Sequence, residues 1–444
     1  MLYRRTSNFK SDQFEIIHTD TSFHEKWRGH LPIDRQLEFA KQITANGNLY
    51  LLFFDSDFSD RSFYVYEINL DRGNYTTYIV RNSVPFVPRV FEINTKGALI
   101  GGYFNRTPLV LFFEFSTLKS KILPGLLNEV GELTQVRVNE DQSFNVLISA
   151  KNYQKQQTLW LKNYDPTGKL QRNFMLQPEG NNNLIFGRAI QTNSNAQIIT
   201  GVFGNKNSEY SRGLFVARVS NDGVQQIKYY NYADLENFFK YMRVKQEKRV
   251  KERINRKKIK GKKIKMQYRF LVHELVPYKN QFILLGEAFY PRFKHIDGVY
   301  GSSGKTSYVF DGYQYTHAVV LGIDSNGELL WDNSFEINDV KTYTLEQFVK
   351  MDAQKEKIAL LYLYDNNIRT KIIQDSIVLE GKSSNQLQMR PEASLDSEKS
   401  GGINKLDYWY DDYFFAYGVQ NLGTANFLGR SKRKVFFVSK VSYE

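Results

Sequence analysis

AQIITGVFGN at residues 196–205, GLFVARVS at 213–220 and the turn NDGVQ at 221–225 read as two buried strands leading into a tight hairpin. The apolar runs are too short for helices. They are rich in β-branched and aromatic residues and are bounded by Asn, Asp and Gly, which favours strand. The Asp222-Gly223 pair supplies the positive φ that a tight turn needs. Six more segments repeat the first element: LYLLFFDSD at 49, ALIGGYFNR at 98, FNVLISAKN at 144, QFILLGEAFY at 281, IALLYLYDN at 358 and YFFAYGVQN at 413.

The seven starts are separated by 49, 46, 52, 85, 77 and 55 residues, so four intervals lie near 50 and two carry insertions. A preceding strand (VFEINT, TQVRVN, GRAIQT, FLVHEL, FVKMDA) and a following strand (FYVYEINL, PLVLFFEF, TLWLKNYD, HAVVLGID, KVFFVSKV) recur around them. Asp/Asn-Gly turns at Asp165–Gly168 and Asp324–Gly327 then lead into a fourth, polar strand. Four antiparallel strands per unit at this period predict an all-β chain, a β-propeller, with seven four-stranded blades favoured and six if one weak unit is a loop. After KVFFVSKVSYE no fourth strand remains, whereas FEIIHTDTSF at 14–23 has strand character and no unit of its own. The two ends are therefore expected to pair and close the ring, which removes an exposed edge. Residues 1–444 form a single domain on this reading, with a long loop at 290–316 inside the fifth blade.

Composition agrees. The 444 residues are 41% hydrophobic and 24% charged with 33 Phe, 29 Tyr and 4 Trp, which excludes disorder and collagen-like repeats, and the absence of Cys excludes a disulfide scaffold. Tyr50, Phe53, Phe54, Phe112, Phe113, Tyr413, Phe414 and Phe415 are assigned to the packing between blades and not to a ligand cage. The longest apolar runs, such as LYLLFF at 49–54, are far below the roughly 20 residues of a membrane-spanning helix. The first thirty residues are polar and lack the apolar core of a secretory signal, so the chain is either cytoplasmic or exported with its signal removed. Zero Cys favours export, since unpaired thiols oxidise outside the cytoplasm.

The stretch AVVLGIDSNGELLWDNSF at 318–335 resembles the blades of quinoprotein-like and other bacterial envelope propellers, with echoes in two further units. The Lys/Asn/Tyr/Phe-rich texture is similar to that of exported propellers from Bacteroidota, and Asp375-Ser376-Ile377 resembles an O-glycosylation acceptor of that phylum. The resemblance implies the fold and an envelope setting: periplasm or outer-membrane surface.

The most unusual segment is the insertion at 234–266, DLENFFKYMRVKQEKRVKERINRKKIKGKKIKM, between the fourth and fifth units. Residues 240–265 hold fourteen Lys+Arg against two Glu, a net of +12 that leaves only +1 of the total +13 to the remaining chain. Residues 234–258 lack Gly and Pro, so a helix is expected there, capped by Asp234, broken near Gly261, with Phe238, Met242, Val250 and Ile254 as a narrow apolar stripe. Three readings compete: a solvated helix without a partner, a dock for an acidic protein or anionic membrane surface, and a nucleic-acid contact. The second is carried forward. A free charge block of this density repels itself, and no nucleic-acid motif surrounds it. The partner-binding residues on this reading are Arg249, Lys251, Arg253, Arg256, Lys257, Lys258, Lys260, Lys262, Lys263 and Lys265.

Catalytic signatures are thin. GVYGSSGKTS at 298–307 lacks a phosphate loop's first Gly, because Val299 stands in its place. None of the six His makes a helix-face pair or an HExxH, and His273 reads as a satisfied strand residue. DSDFSD at 55–60 (Asp55, Asp57, Asp60) lacks the Gly and terminal Glu of an EF-hand and reads as a solvated hairpin tip. No catalytic, cofactor or metal site is assigned. The expectation is a non-enzymatic scaffold or recognition subunit of a hetero-complex, with a propeller enzyme acting on glycans or peptides as the alternative class.

Overall fold

The computed structural model describes residues 2–443 apart from 8–11, 58–60, 127–129, 193–195, 207, 209, 263, 265, 297–306, 355, 388–403 and 427–428. The fold is all-β, a seven-bladed β-propeller with one α-helix among the described residues. It divides into two compact units, residues 1–196 with 220–225, and residues 197–219 with 226–444. No helix among the described residues is long and apolar enough to cross a membrane.

In the first unit, blade one runs Leu37–Ala45, Asn48–Asp55, Phe63–Asn69, Tyr75–Val80 in sheet order. Blades two and three repeat the meander over residues 90–122 and 131–175. Their second strands are apolar runs and not alternating patterns because both faces are covered: Leu49 to Asp55 is buried without a break. Leu52 and Val65 of blade one pack with Ile100 and Leu111 of blade two, and Leu99 and Phe112 on the other face of blade two pack with Phe144 and Val146 of blade three. The Asp165 carboxylate accepts the N–H groups of Thr167 (2.9 Å) and Lys169 (3.0 Å), and Gly168 takes φ +78° to close that hairpin. Asp55 is buried, and its carboxylate accepts the Asp57 N–H (3.0 Å); it is not the solvated tip expected, and Asp60 lies outside the described residues.

The expected pairing of the chain ends is not what forms. Asp12–Thr19 pairs with Leu2–Ser7 on one side and Glu25–Ile33 on the other, with Phe14 opposite both Arg5 and Leu31. This three-stranded sheet packs Phe14 and Ile16 on Leu49, Leu51 and Phe53 of blade one. A turn explains the outcome: Asp20 accepts the N–H groups of Ser22 (2.8 Å) and His24 (2.9 Å), and Phe23 sits at φ +65°. A hairpin made by so short a loop has a far smaller closure entropy cost than pairing two chain ends.

In the second unit, blade five comprises Arg269–Val272, Gln281–Ile296, Ser307–Asp324 and Leu329–Glu336, and blade six Lys350–Gln354, Lys357–Tyr364, Asn367–Gln374 and Ile377–Gln386. Blade seven has three strands, Asn404–Tyr410, Tyr413–Asn426 and Gly429–Ser442. Leu285 and Val320 pack with Leu360 and Tyr362, while Leu361 packs with Phe414 and Ala416. Blade four straddles the division, giving Asn182–Gln191 to the first unit and Gln197–Asn205 and Ser211–Val219 to the second. The loop expected at 290–316 is largely strand. Its two arms stay paired out to Ile296 and Ser307, braced by Lys294 on Asp311 (2.7 Å) and by Phe293 against Phe310; Gly304-Lys305-Thr306 lie outside the described residues.

Candidate docking site on the basic insertion

The insertion is seated before it becomes helical. Asn231 is followed by a 3-10 turn, Tyr232–Asp234, after which Leu235, Asn237, Phe238 and Phe239 are buried, the two Phe fully. The Asp332 carboxylate, on the fourth strand of blade five, accepts the N–H groups of Glu236 (3.0 Å) and Asn237 (2.7 Å). Asn237 Nδ2 donates to the Asp332 carbonyl (2.7 Å), and Ser334 Oγ donates to the Asn237 carbonyl (2.9 Å). Burial raises the Asp332 pKa, and the two N–H groups pull it back. These bonds satisfy the N–H groups that an Asp234 N-cap would have taken, and Leu235 is extended at ψ 136°, so no helix starts there. Asp234 therefore caps nothing; it accepts from Asn231 Nδ2 and pairs with Lys258 (2.7 Å).

Around Phe238 lies an aromatic cluster. The Tyr241 ring stacks on His317 at 3.7 Å and 3°, and Phe238, Tyr268 and Phe270 meet the same imidazole edge-on. His317 Nδ1 lies 2.9 Å from Thr316 Oγ1, while Nε2 is buried without a hydrogen-bond partner. Burial alone pushes the His317 pKa down to about 3, so the ring is neutral and part of the packing. Behind the clasp, Lys371 of blade six donates to Asn333 Oδ1 (2.8 Å) and the Ser334 carbonyl. Burial, with Lys240 adding repulsion, lowers its pKa to about 8.

The helix, α1, spans Val244–Ile259. Its end is as expected: Gly261 at φ +60° donates to the Lys258 carbonyl (3.0 Å) and Lys262 to that of Lys257 (2.9 Å), the pattern of a Schellman cap. Ile254 is buried, with Glu247, Val250, Lys251 and Lys257 half-buried beside it. Phe238, Val250 and Ile254 thus turn inward as predicted. On the opposite face, Lys245, Arg249, Arg253, Arg256 and Lys260 recur at intervals of 4, 4, 3 and 4 and form one exposed stripe. None makes an ion pair among the described residues.

Of the predicted set, Arg249, Arg253, Arg256 and Lys260 are brought together on this stripe, and Lys262 is exposed just beyond the helix. Lys251 is paired with Glu247 on the same helix (2.7 Å) and Lys258 with Asp234 at the start of the insertion, so both already have a counter-charge. Lys263 and Lys265 lie outside the described residues. Lys245 was missed, although stepping back four residues from Arg249 finds it.

Beside α1 opens a cleft of about 670 Å³. Met242, Arg243, Arg249 and Val250 line the insertion side; Tyr290, Tyr315, Ile337 and Asp339 line the blade side. Sequence reasoning missed the second wall, which has no motif and joins the first only through the fold. His273, by contrast, is the satisfied residue expected, with Nε2 2.6 Å from the buried Glu287 carboxylate. Among the described residues no group of three or more His, Asp or Glu is placed to hold a metal ion.

No protein-family model matches the sequence, and no curated protein matches it. Solved structures do align. The β-propeller domain of the Trilobed protease from Pyrococcus furiosus aligns over 90% of this chain and 98% of its own at 10% identity and a TM-score of 0.42. Polysaccharide lyase Uly1 aligns over 90% and 89% at 8% identity and 0.44. A prolyl endopeptidase aligns over 92% of this chain and 50% of its own at 9% identity and 0.45. None of these likenesses transfers an activity, and the fold assignment rests on the strand order.

Proposed function

We propose that this chain is a non-enzymatic recognition or scaffold subunit that docks an anionic protein partner through α1. The observation that carries the reading is the stripe Lys245, Arg249, Arg253, Arg256, Lys260, exposed and without an ion pair among the described residues, on a helix that buries Ile254 and follows a segment fastened to blade five by Asn237 on Asp332. A charged face held in one orientation steers and registers an acidic surface, whereas a tethered flexible block only attracts it. The competing enzyme reading needs a pair of free carboxylates in a cleft. Two carboxylates line this one, Glu336 and Asp339, and Glu336 is held by Lys382, so no such pair stands there among the described residues. A cell-envelope setting, as part of a hetero-complex, is supported by the absence of Cys and the blade resemblance.

Crosslinking with mass spectrometry on the natively purified protein tests this. Lys245, Lys257 and Lys260 are expected to join to one acidic polypeptide. Arg249→Glu, Arg253→Glu, Arg256→Glu and Lys260→Glu together are expected to abolish those crosslinks while the melting temperature holds within about 2 °C, since exposed substitutions of this kind cost little. Undiminished crosslinking in that variant refutes the role of α1. Association with nucleic acid, weakening steeply with salt and indifferent to sequence, would replace the protein partner.

A further inference from the structure

We propose that the cleft beside α1 seats an apolar side chain of the partner, and that the acidic residues flanking this anchor run along the arginine stripe. The inference rests on the reading of α1 as a docking element and specifies the ligand: an extended acidic segment with one aromatic or aliphatic residue. Charge alone attracts without orienting. An apolar group in a desolvated seat, ringed by polar groups, is what fixes position in a protein interface.

Three observations place such a seat here. Apolar side chains stand on both walls of the cleft, Tyr315 and Ile337 buried on one side and Met242 and Val250 half-buried on the other, among polar residues such as Gln246 and Gln314. At the rim Tyr290 is 47% exposed, an aromatic surface left in water beside the opening. Arg249 belongs to both features: it lines the cleft and is the second member of the stripe, so a chain leaving the cleft meets the cations without a gap. The charges divide the cleft. On the blade side Lys382 meets the Glu336 charge and Asp339 adds a carboxylate, whereas Arg243 and Arg249 have no acidic partner among the described residues, so the acidic flank of the ligand belongs on the insertion side.

The dimensions match a short segment. From Lys245 to Lys260 the stripe covers fifteen residues of helix, about 22 Å at roughly 1.5 Å per residue. An extended chain of about seven residues spans the same length at roughly 3.3 Å each. The cleft lies near the Arg249 end, so the anchor belongs close to one terminus of the segment. The cleft volume of about 670 Å³ falls within the usual range of roughly 300–1,000 Å³ for a ligand site.

Fluorescence anisotropy on the full chain tests the proposal with defined probes: an oligoglutamate peptide, the same peptide with Phe near one end, a single-stranded oligonucleotide, and phosphatidylglycerol vesicles. The Phe-bearing peptide is expected to bind about tenfold more tightly than oligoglutamate. Val250→Gln and Tyr290→Ala, on opposite walls, are each expected to reduce that advantage below twofold while oligoglutamate binding stays within twofold of the unsubstituted protein. Equal binding of the two peptides overturns the cleft and leaves the basic stripe standing. An advantage that survives both substitutions also overturns it. Binding of neither peptide overturns the docking reading together with the cleft, and tighter binding of oligonucleotide or vesicles overturns the acidic-protein ligand.

Discussion

Asp332→Ala separates a seated insertion from a loose one. The carboxylate accepts two buried N–H groups, from Glu236 at 3.0 Å and Asn237 at 2.7 Å, and bonds to a charged acceptor contribute about 1.5–3 kcal/mol each. The gross loss is therefore about 3–6 kcal/mol. Burial of the carboxylate, which raises its pKa, offsets part of this, and the Asn237 Nδ2 and Ser334 Oγ bonds survive because they use backbone carbonyls. A net of about 2–3 kcal/mol raises the population in which residues 235–262 lift off blade five by about 30–150-fold, since tenfold corresponds to about 1.4 kcal/mol. The segment carries its own reporter, because trypsin cuts after Lys and Arg and needs an unfolded stretch. At low protease concentration the cleavage rate follows the open population, so cuts after Arg249, Arg253 and Arg256 should accelerate by that factor. Asp332→Asn, retaining one acceptor oxygen, should fall between. Cleavage of Asp332→Ala within threefold of the unsubstituted rate, in a folded protein, would falsify the clasp.

Lys371, with its pKa lowered to about 8, is charged in both folded and unfolded chains at lower pH. Between about pH 8 and 10 the unfolded chain holds a proton that the folded one has shed, so stability should climb with pH by about 1–2 kcal/mol after solvent screening, and Lys371→Met should flatten that slope in urea melts. Gly97→Ala places a Cβ 2.0 Å from the Phe113 carbonyl oxygen in the neighbouring strand and should cost about 2–3 kcal/mol in the same assay. Gly47→Ala, at φ +77° with nothing within 4 Å, should cost only the backbone strain of about 1–2 kcal/mol. Phe238→Ala empties a fully buried site and should remove about 3–5 kcal/mol, read as faster hydrogen exchange in residues 232–243.

The blades were legible because a strand covered on both faces must be an apolar run, and Leu49–Phe54, Phe144–Ala150 and Ile358–Leu363 are such runs. Their turns were legible because Gly168, Gly223 and Gly327 occupy positive φ where Asp or Asn sets up the bend. The end pairing was not, because the decision lies in three bonds to Asp20 and Ser7–Asp12 register pairs that no periodicity reports. Charge located the insertion, and composition placed its helix end at Gly261. Its start was misplaced by ten residues, from Asp234 to Val244, because Leu235 and Arg243 are extended and the N–H groups an Asp234 cap would satisfy are taken by Asp332, 95 positions from Asn237. Long-range capture of backbone N–H groups leaves no local trace.

The balance between recognition and catalysis turns on which polar groups are already engaged. Glu67 accepts from Asn48 (2.6 Å), Tyr50 (2.7 Å) and Tyr78 (2.7 Å), which braces three strands of blade one. Glu287 meets His273 and accepts the N–H groups of Phe348 (3.2 Å) and Val349 (3.0 Å), which ties blade five to the start of blade six. Asp332 holds the insertion. A carboxylate that accepts two or three structural hydrogen bonds is a poor general base, because taking up a proton weakens the bonds that support its burial. The cations of the α1 stripe stand in the opposite condition, ordered by the helix and exposed without ion pairs among the described residues. A stripe of cations in that condition supports the proposed association, and the bonds of Glu236 and Asn237 to Asp332 ahead of the helix would give that association a fixed base.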